Sequence, residues 1–335
     1  MMDEVNQNPK LSIVVPVYGV EKYIEKCVRS LFSQTLDNIQ FIFVDDCSPD
    51  NSITVLSSMI NEYRPIIENK KWDIVIKRTP NNGGLPKARQ HGLRYATGDY
   101  IIHCDSDDWI DHKMLYLMYN KAIIEDADVV VCDMSITDGF NILKVLKGCS
   151  LLERDGYISR MMLQKDHWSL CNKLFRHEFY KDLEYPEGGM GEDMALTLQL
   201  MLKCKKIAYV NDTSYYYYQN PKSILHVQSK ESVLVKYYQL CENSGIVASV
   251  YYKNGEKDKF SDEIDWLWYR AANVLMPYIK MADIYDIWSK HFTNRNISFL
   301  LNRKVPILRK IRHILLKAKY PLIYNLFSKM RIVYV

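Results

Sequence analysis

No stretch of this 335-residue chain reaches the ~18 to 20 uninterrupted apolar residues of a membrane-spanning helix. The first ten residues are polar and carry Asp3 and Glu4, which is not the pattern of a secretory signal peptide. None of the eight cysteines stands in Cys-x-x-Cys spacing, which argues against a zinc site and fits a reducing cytosol. A Walker loop is missing, because no Gly-Lys-Ser/Thr occurs, and no Gly-x-Gly-x-x-Gly follows the first strand pattern. Internal repeats and low-complexity tracts are also absent. Acidic residues disappear from one end: residues 287–335 hold eleven Lys or Arg and no Asp or Glu. The total charge is +4, so the rest of the chain carries about −7. A basic end on an acidic body points to a polyanion or an anionic lipid surface near the C-terminus.

The most informative segment present is Ile101-Ile102-His103-Cys104-Asp105-Ser106-Asp107-Asp108-Trp109. A short apolar run after the Thr97-Gly98-Asp99 turn reads as a buried strand. Acids at its C-terminal end reach the ligand edge of an α/β sheet. Carboxylates this close repel unless a cation compensates them, so the segment reads as a divalent-metal site that also holds a diphosphate. Alternation places Asp105 and Asp107 on one side of the chain, and Asp108 is read as an acid starting the next helix.

The first half alternates strand and helix patterns. Strands are expected at Leu11–Val17, Ile39–Val44, Asp73–Ile76, Asp99–Cys104 and Asp128–Cys132. Helices are expected at Glu21–Gln34, Ser52–Tyr63, Leu85–Tyr95 and Lys113–Glu125. This is the signature of βαβ units and an α/β fold with a mostly parallel sheet. Residues 140–228 are mixed, and the pattern turns helical beyond about 229. The domain reading is therefore 1–228, with halves at about 11–110 and 111–228, followed by a helical extension at 229–335.

Three more loops at strand ends carry chemistry. Pro16-Val17-Tyr18-Gly19 reads alone as a structural turn. Val44 to Ser52 contains Asp45 and Asp46, suited to a base N–H or ribose hydroxyls, and Asp50 or Asn51, suited to capping a helix. Asn81 to Arg89 combines Gly83 and Gly84 with Lys87 and Arg89 at a helix start, where cations oppose the dipole unless an anion is held there.

These loops, in this order, resemble the inverting glycosyltransferases of family 2, over roughly Leu11 to His226. Pro16-Val17-Tyr18-Gly19 matches the family's Pro-Val-Tyr-Asn apart from Gly19. Val44 to Asp50 match Val-Asp-Asp-x-Ser-x-Asp, and Asn82, Gly84, Ala88, Arg89 and Gly92 match the next motif, in which Gln90 replaces Asn. Gly98 to Ile101, Asp105 to Asp108, Asn172 to Arg176 and Gly191-Glu192-Asp193 complete the series.

The resemblance implies a GT-A fold, a mixed and mostly parallel sheet flanked by helices. It implies a nucleotide-sugar site formed by Pro16, Val17, Tyr18, Asp45, Asp46, Asn82, Gly84, Lys87, Arg89, Asp105 and Ser106. Asp45 or Asp46 would contact the uracil or ribose and Asp105 the ribose, while Asp107, with Asp105, would ligate Mn2+ or Mg2+. Asp193 would be the catalytic base, with Glu192 beside it, their mutual repulsion raising one of the two pKa values. The plainer reading of Glu192-Asp193 is the acidic first turn of a helix. His226 is a further metal ligand or phosphate contact, or an ordinary histidine. Trp168 stacks on an acceptor sugar or packs in the core, and Lys173 is placed at the acceptor. Tyr215 to Tyr218 line a cleft on one face of a strand and pack on the other.

The implied activity is metal-dependent transfer of a hexosyl or N-acetylhexosaminyl group from a UDP-sugar to a hydroxyl of a glycan or lipid-linked oligosaccharide, in surface polysaccharide synthesis. Two other classes remain: a haloacid-dehalogenase-like phosphatase, whose Asp-x-Asp nucleophile motif Asp105-x-Asp107 mimics, and an inactive sugar-nucleotide or glycan-binding module. No nucleic-acid partner is expected. The basic, apolar-rich segment Arg303 to Arg331 suits either a helix lying on an anionic membrane or a terminal helical hairpin with a solvated basic face. The expected location is cytoplasmic, peripheral on the inner face of the membrane.

Overall fold

The computed structural model describes residues 8–149, 153–220, 229–293 and 295–318. The chain divides into two compact units, Met1–Val227 and Gln228–Val335.

The first unit is built on a nine-stranded mixed sheet. Its leading half is parallel: β1 (Leu11–Val17) lies between β2 (Ile39–Asp45) and β4 (Tyr100–His103), with β3 (Asp73–Arg78) outside β2. Every residue of β1 and β2 is buried. That burial on both faces explains why their apolar residues run on without alternating. Helices α1 (Ile24–Phe32), α2 (Ser52–Glu62), α3 (Arg64–Asn69) and α4 (Leu85–Leu93) connect these strands. In α1 the residues at helical spacing, Ile24, Cys27, Val28, Leu31 and Phe32, are the buried ones. Pro16 stands inside a central strand, an unusual place. It shares the side of Val14, whose carbonyl accepts from Cys104 N at 3.0 Å, and β4 has already ended there. The missing N–H therefore breaks no ladder bond.

The trailing half runs β8 (Lys173–Arg176), β6 (Val129–Thr137), β9 (Ile207–Tyr218) and β5 (Trp109–Ile110), with β7 (Ile142–Leu146) pairing with β6 from Met134 onward, past the stretch paired with β8. β8 is antiparallel to both β4 and β6, while β6 and β9 are parallel. The strand expected to end at Cys132 continues to Thr137, because β9 follows it past a register shift between Cys132 and Asp133. Helices α5 (Met114–Glu125), α6 (Arg154–Met162) and α7 (Glu192–Lys203) complete the unit.

The second unit contains α8 (Lys230–Lys253), α9 (Ser261–Asn273), α10 (Ala282–His291), α11 (Asn296–Leu301) and α12 (Ile307–Lys317). Its core is aromatic: Trp266, Tyr269, Trp288, Phe292 and Phe299 are all buried. No helix among the described residues is long and apolar enough to cross a membrane.

Candidate active site

Because β1, β2 and β4 are parallel and adjacent, their C-terminal ends share one edge of the sheet. Tyr18, half exposed, and Gly19 follow β1 there. Gly19 has φ +65°, a left-handed conformation that asparagine also tolerates, so the departure from the family's Asn keeps the turn. Asp50 ties this turn to the next loop by accepting from Glu21 N at 2.9 Å and from Ser52 N at 3.1 Å.

At the end of β2 the two neighbouring acids have different work. Asp46 is buried; its carboxylate accepts from Thr79 Oγ1 at 2.8 Å, Gly83 N at 3.0 Å and Gly84 N at 2.8 Å. It fastens the glycine loop to the sheet. Gly84 adopts φ +78° as the residue before α4, and Asn82 Oδ1 also accepts from its N–H, at 3.1 Å. Asp45 accepts from Ser48 N at 2.8 Å and lies 3.5 Å from the Arg78 guanidinium.

Lys87 and Arg89, both expected to cradle an anion, separate. Lys87 is exposed and pairs with Glu187 at 2.8 Å. Arg89 is fully buried and turns inward. Its Nη2 donates to Asp105 Oδ1 at 2.7 Å, and its Nη1 donates to Glu192 and Asp193 at the start of α7. Arg89 is therefore no open phosphate contact; its guanidinium joins the loop after β4 to α7. That cation also answers why three carboxylates converge here.

Asp105 to Asp108 form a turn rather than a continuation of the strand: β4 stops at His103, and Asp108 N donates to Asp105 O at 3.1 Å. Asp105 O also lies near Cys27 and Cys104, and Cys171 Sγ is 3.6 Å from Asp105 Oδ2. Ser106 is buried. Asp107 Oδ2 accepts from Asn220 Nδ2 at 3.3 Å. The helix-starting role expected for Asp108 is corrected, because α5 begins only at Met114 and Asp108 is buried. Asp108 accepts from Tyr215 Oη at 2.6 Å and Tyr218 N at 2.7 Å, pinning the turn to β9. The Tyr215 hydroxyl in turn accepts from Asp105 N at 3.0 Å. Tyr216 and Tyr218 point the other way, where both pack near Trp109.

The electrostatics sort the acids. Burial pushes Asp108 well above the usual carboxylate range, helped by Asp107 and Asp105. Burial, then the charge of Asp105, also raises Asp107. Burial raises Glu192 well above its ordinary value despite Arg89, and Asp193 adds to the rise. For Asp193 burial acts upward too, but the Arg89 charge and hydrogen bonds from Glu192 and Arg89 outweigh it, and its pKa is lowered. One of the adjacent pair is thus raised, and it is Glu192; desolvation, more than repulsion, is the cause.

Asp105, Glu192 and Asp193 share a single guanidinium, with Asp107 and Asp108 two and three residues beyond Asp105. That excess of negative charge suits a bound cation. Among the described residues no three His, Cys, Asp or Glu side chains form a complete metal cage. Mg2+ and Mn2+ sites that take one or two carboxylates and borrow oxygens from substrate phosphates need none. His226 lies outside the described residues.

On the acceptor side, Trp168 is half-buried in the loop before β8, where its carbonyl accepts from Thr197 Oγ1 at 2.6 Å. Lys173, placed by its sequence motif at the acceptor, is fully buried instead. Its ammonium donates to His167 O at 2.9 Å, Ser169 O at 2.8 Å and Asn172 Oδ1 at 2.9 Å, using all three donors to shape that loop. Asn220 and Cys171 carried no signal of their own in the sequence; each is brought to the acids only by folding.

The sequence pattern described as Glycosyl transferase family 2 matches residues 12–183. Glycosyltransferase GlyA of Streptococcus pneumoniae serotype 4 is 30% identical over 220 residues, which are 62% of this chain and 30% of that protein. The poly(ribitol-phosphate) beta-glucosyltransferase of Bacillus spizizenii is 32% identical over 213 residues, 62% of this chain and 32% of that protein. The chain thus spans about a third of the length of these two relatives. Among solved structures, S. aureus TarS 1-349 in complex with UDP-GlcNAc superposes with a TM-score of 0.56 at 20% identity, covering 79% of this chain and 80% of that one. The architecture is accordingly the GT-A type. With its motifs matched across more than half its length, the chain belongs to glycosyl transferase family 2.

Proposed function

We propose that this chain is an inverting, metal-dependent glycosyltransferase that moves a hexosyl or N-acetylhexosaminyl group from a UDP-sugar to a hydroxyl of a surface glycan or lipid-linked glycan. The observation that carries the reading is the buried Arg89 guanidinium, shared between Asp105 of the donor-side turn and Glu192-Asp193 of α7. It holds a donor-binding acid and a base at one sheet edge. The relatives support the substrate class: one acts on poly(ribitol-phosphate), and the structural neighbour holds UDP-GlcNAc.

In this reading Asp45 and Asp105 meet the base and ribose, while Asp46 holds the glycine loop beneath them. Asp107 and Asp105 would hold Mn2+ or Mg2+, which supplies charge neutralisation for the departing diphosphate. Asp193, ionised at neutral pH, accepts the acceptor hydroxyl's proton as its oxygen attacks the anomeric carbon. The carbon–phosphate oxygen bond breaks in the same displacement, and the anomeric centre inverts. An oxocarbenium-like state lets a modest base suffice. Glu192, its pKa raised by burial, hydrogen-bonds Asp193 and fixes its orientation. Trp168 offers an aromatic face to the acceptor sugar. The site works where nucleotide sugars are made, in the cytoplasm.

The test is Asp193→Asn. Sugar transfer is expected to fall about 10²–10⁴-fold, while UDP-sugar binding with Mn2+, followed by thermal shift, persists. Loss of donor binding together with transfer, or full transfer by the variant, would overturn the assignment of Asp193.

A further inference from the structure

The second unit ends its described residues on a helix that faces the wrong way for a protein core. On α12, Ile307, Leu308, Ile311 and Ile314 are 67%, 51%, 38% and 49% exposed. Their spacing puts them on one stripe of the helix. Three cations of the same helix, Arg309, Arg312 and Lys317, turn inward instead. Arg309 stacks over Trp266 at 4.8 Å, and Arg312 Nη2 donates to Tyr269 Oη at 2.8 Å and to Asn273 Oδ1. Lys317 Nζ donates to Ser289 O at 2.9 Å, and His313 is buried against Phe292 and Phe299. Residues 319–331 of the expected basic hairpin lie outside the described residues; on α12, its described part, the exposed face is aliphatic rather than basic. The preceding helix α11 adds Ile297 and Leu301, one turn apart and 73% and 74% exposed.

An aliphatic stripe of this kind stays in water only at a cost, and it marks a surface that something covers. We propose that α12 lies flat on an anionic membrane and inserts Ile307, Leu308, Ile311 and Ile314 among the acyl chains. Three observations select a membrane. At 11 residues α12 is too short to span a bilayer but suits the interface. Residues 287–335 carry eleven Lys or Arg and no Asp or Glu, a charge that complements acidic headgroups. Exposed Arg303, four residues before α12, and half-buried Lys310 within it are long cations that suit the headgroup level. The inference stands on the second unit alone and does not depend on the transfer chemistry of the first.

The experiment is sedimentation of the full chain with vesicles of phosphatidylcholine alone and of phosphatidylcholine mixed with phosphatidylglycerol. The wild type is expected to co-sediment with the mixed vesicles, to release as salt rises, and to ignore the neutral ones. The triple variant Leu308→Ser, Ile311→Ser, Ile314→Ser is expected to keep its melting temperature and lose binding roughly tenfold or more. A second variant, Arg303→Gln with Lys310→Gln, leaves the stripe intact and should weaken binding to the mixed vesicles by several-fold. No co-sedimentation by the wild type would overturn the proposal, as would binding untouched by both variants. A dimer, measured by light scattering and abolished by the triple variant, would assign the face to a second copy and overturn it equally.

Discussion

Arg89 Nη2 stands 2.7 Å from Asp105 Oδ1, with the arginine side chain wholly out of contact with water. The two residues are close in sequence, yet the same guanidinium also reaches Glu192 and Asp193 more than a hundred positions away. The donor-side turn and α7 therefore share one buried cation.

Removing that cation leaves the partly buried Asp105 and Asp193, and buried Glu192, without a partner charge. Arg89→Met should lower stability by about 3–5 kcal/mol, measured as a drop in the urea midpoint. Arg89→Lys restores the charge but not the fork, and should recover only part of it. A midpoint unchanged in Arg89→Met would show that the network contributes nothing to the fold.

Asp107 is placed for binding at the expense of the empty fold, since burial and Asp105 both disfavour its charge. Asp107→Asn should raise the melting temperature of the ligand-free protein, by about 0.5–2 kcal/mol of stability. The same variant should lose the thermal shift that Mn2+ with a UDP-sugar gives the wild type. Opposite signs in the two measurements identify a functional acid; a simple loss in both would make it structural.

Burial holds His103 at a pKa of about 3, so the folded chain keeps it neutral. The unfolded chain takes up that proton below about 6.5. The unfolded state then binds more protons than the native one, so stability falls as pH drops from 6.5 toward 3. By pH 5 this one residue costs about 2 kcal/mol. Urea titrations from pH 7 to 5 should show the decline, and His103→Gln should flatten it by that amount.

Lys173 uses its three donors on His167 O, Ser169 O and Asn172 Oδ1. Lys173→Met strands these acceptors, at about 1–3 kcal/mol for each one left buried and unpaired. Thermal melting should show the loss. A variant of normal stability with a raised KM for acceptor alone would instead place Lys173 in contact with the acceptor.

The sequence alone determined the strand–helix alternation through Cys132, the acidic turns at strand ends and the family, because apolar periodicity and loop motifs are local properties written in consecutive residues. Leu11–Val17 is a strand over the range its pattern marks. What each motif residue touches was decided by tertiary structure, since its partners lie far apart in the chain. Asp45 and Asp46 read alike until Asp46 meets Thr79, Gly83 and Gly84. Lys87 and Arg89 read as a pair until one turns to solvent and the other to three acids. Asp108 reads as a helix start until β9 brings Tyr215 to it. In α12 the sequence shows cations and aliphatics at helical spacing, but only packing against Trp266 and Tyr269 decides which face is buried. Burial, and the hydrogen bonds it compels, separated residues that pattern left equivalent.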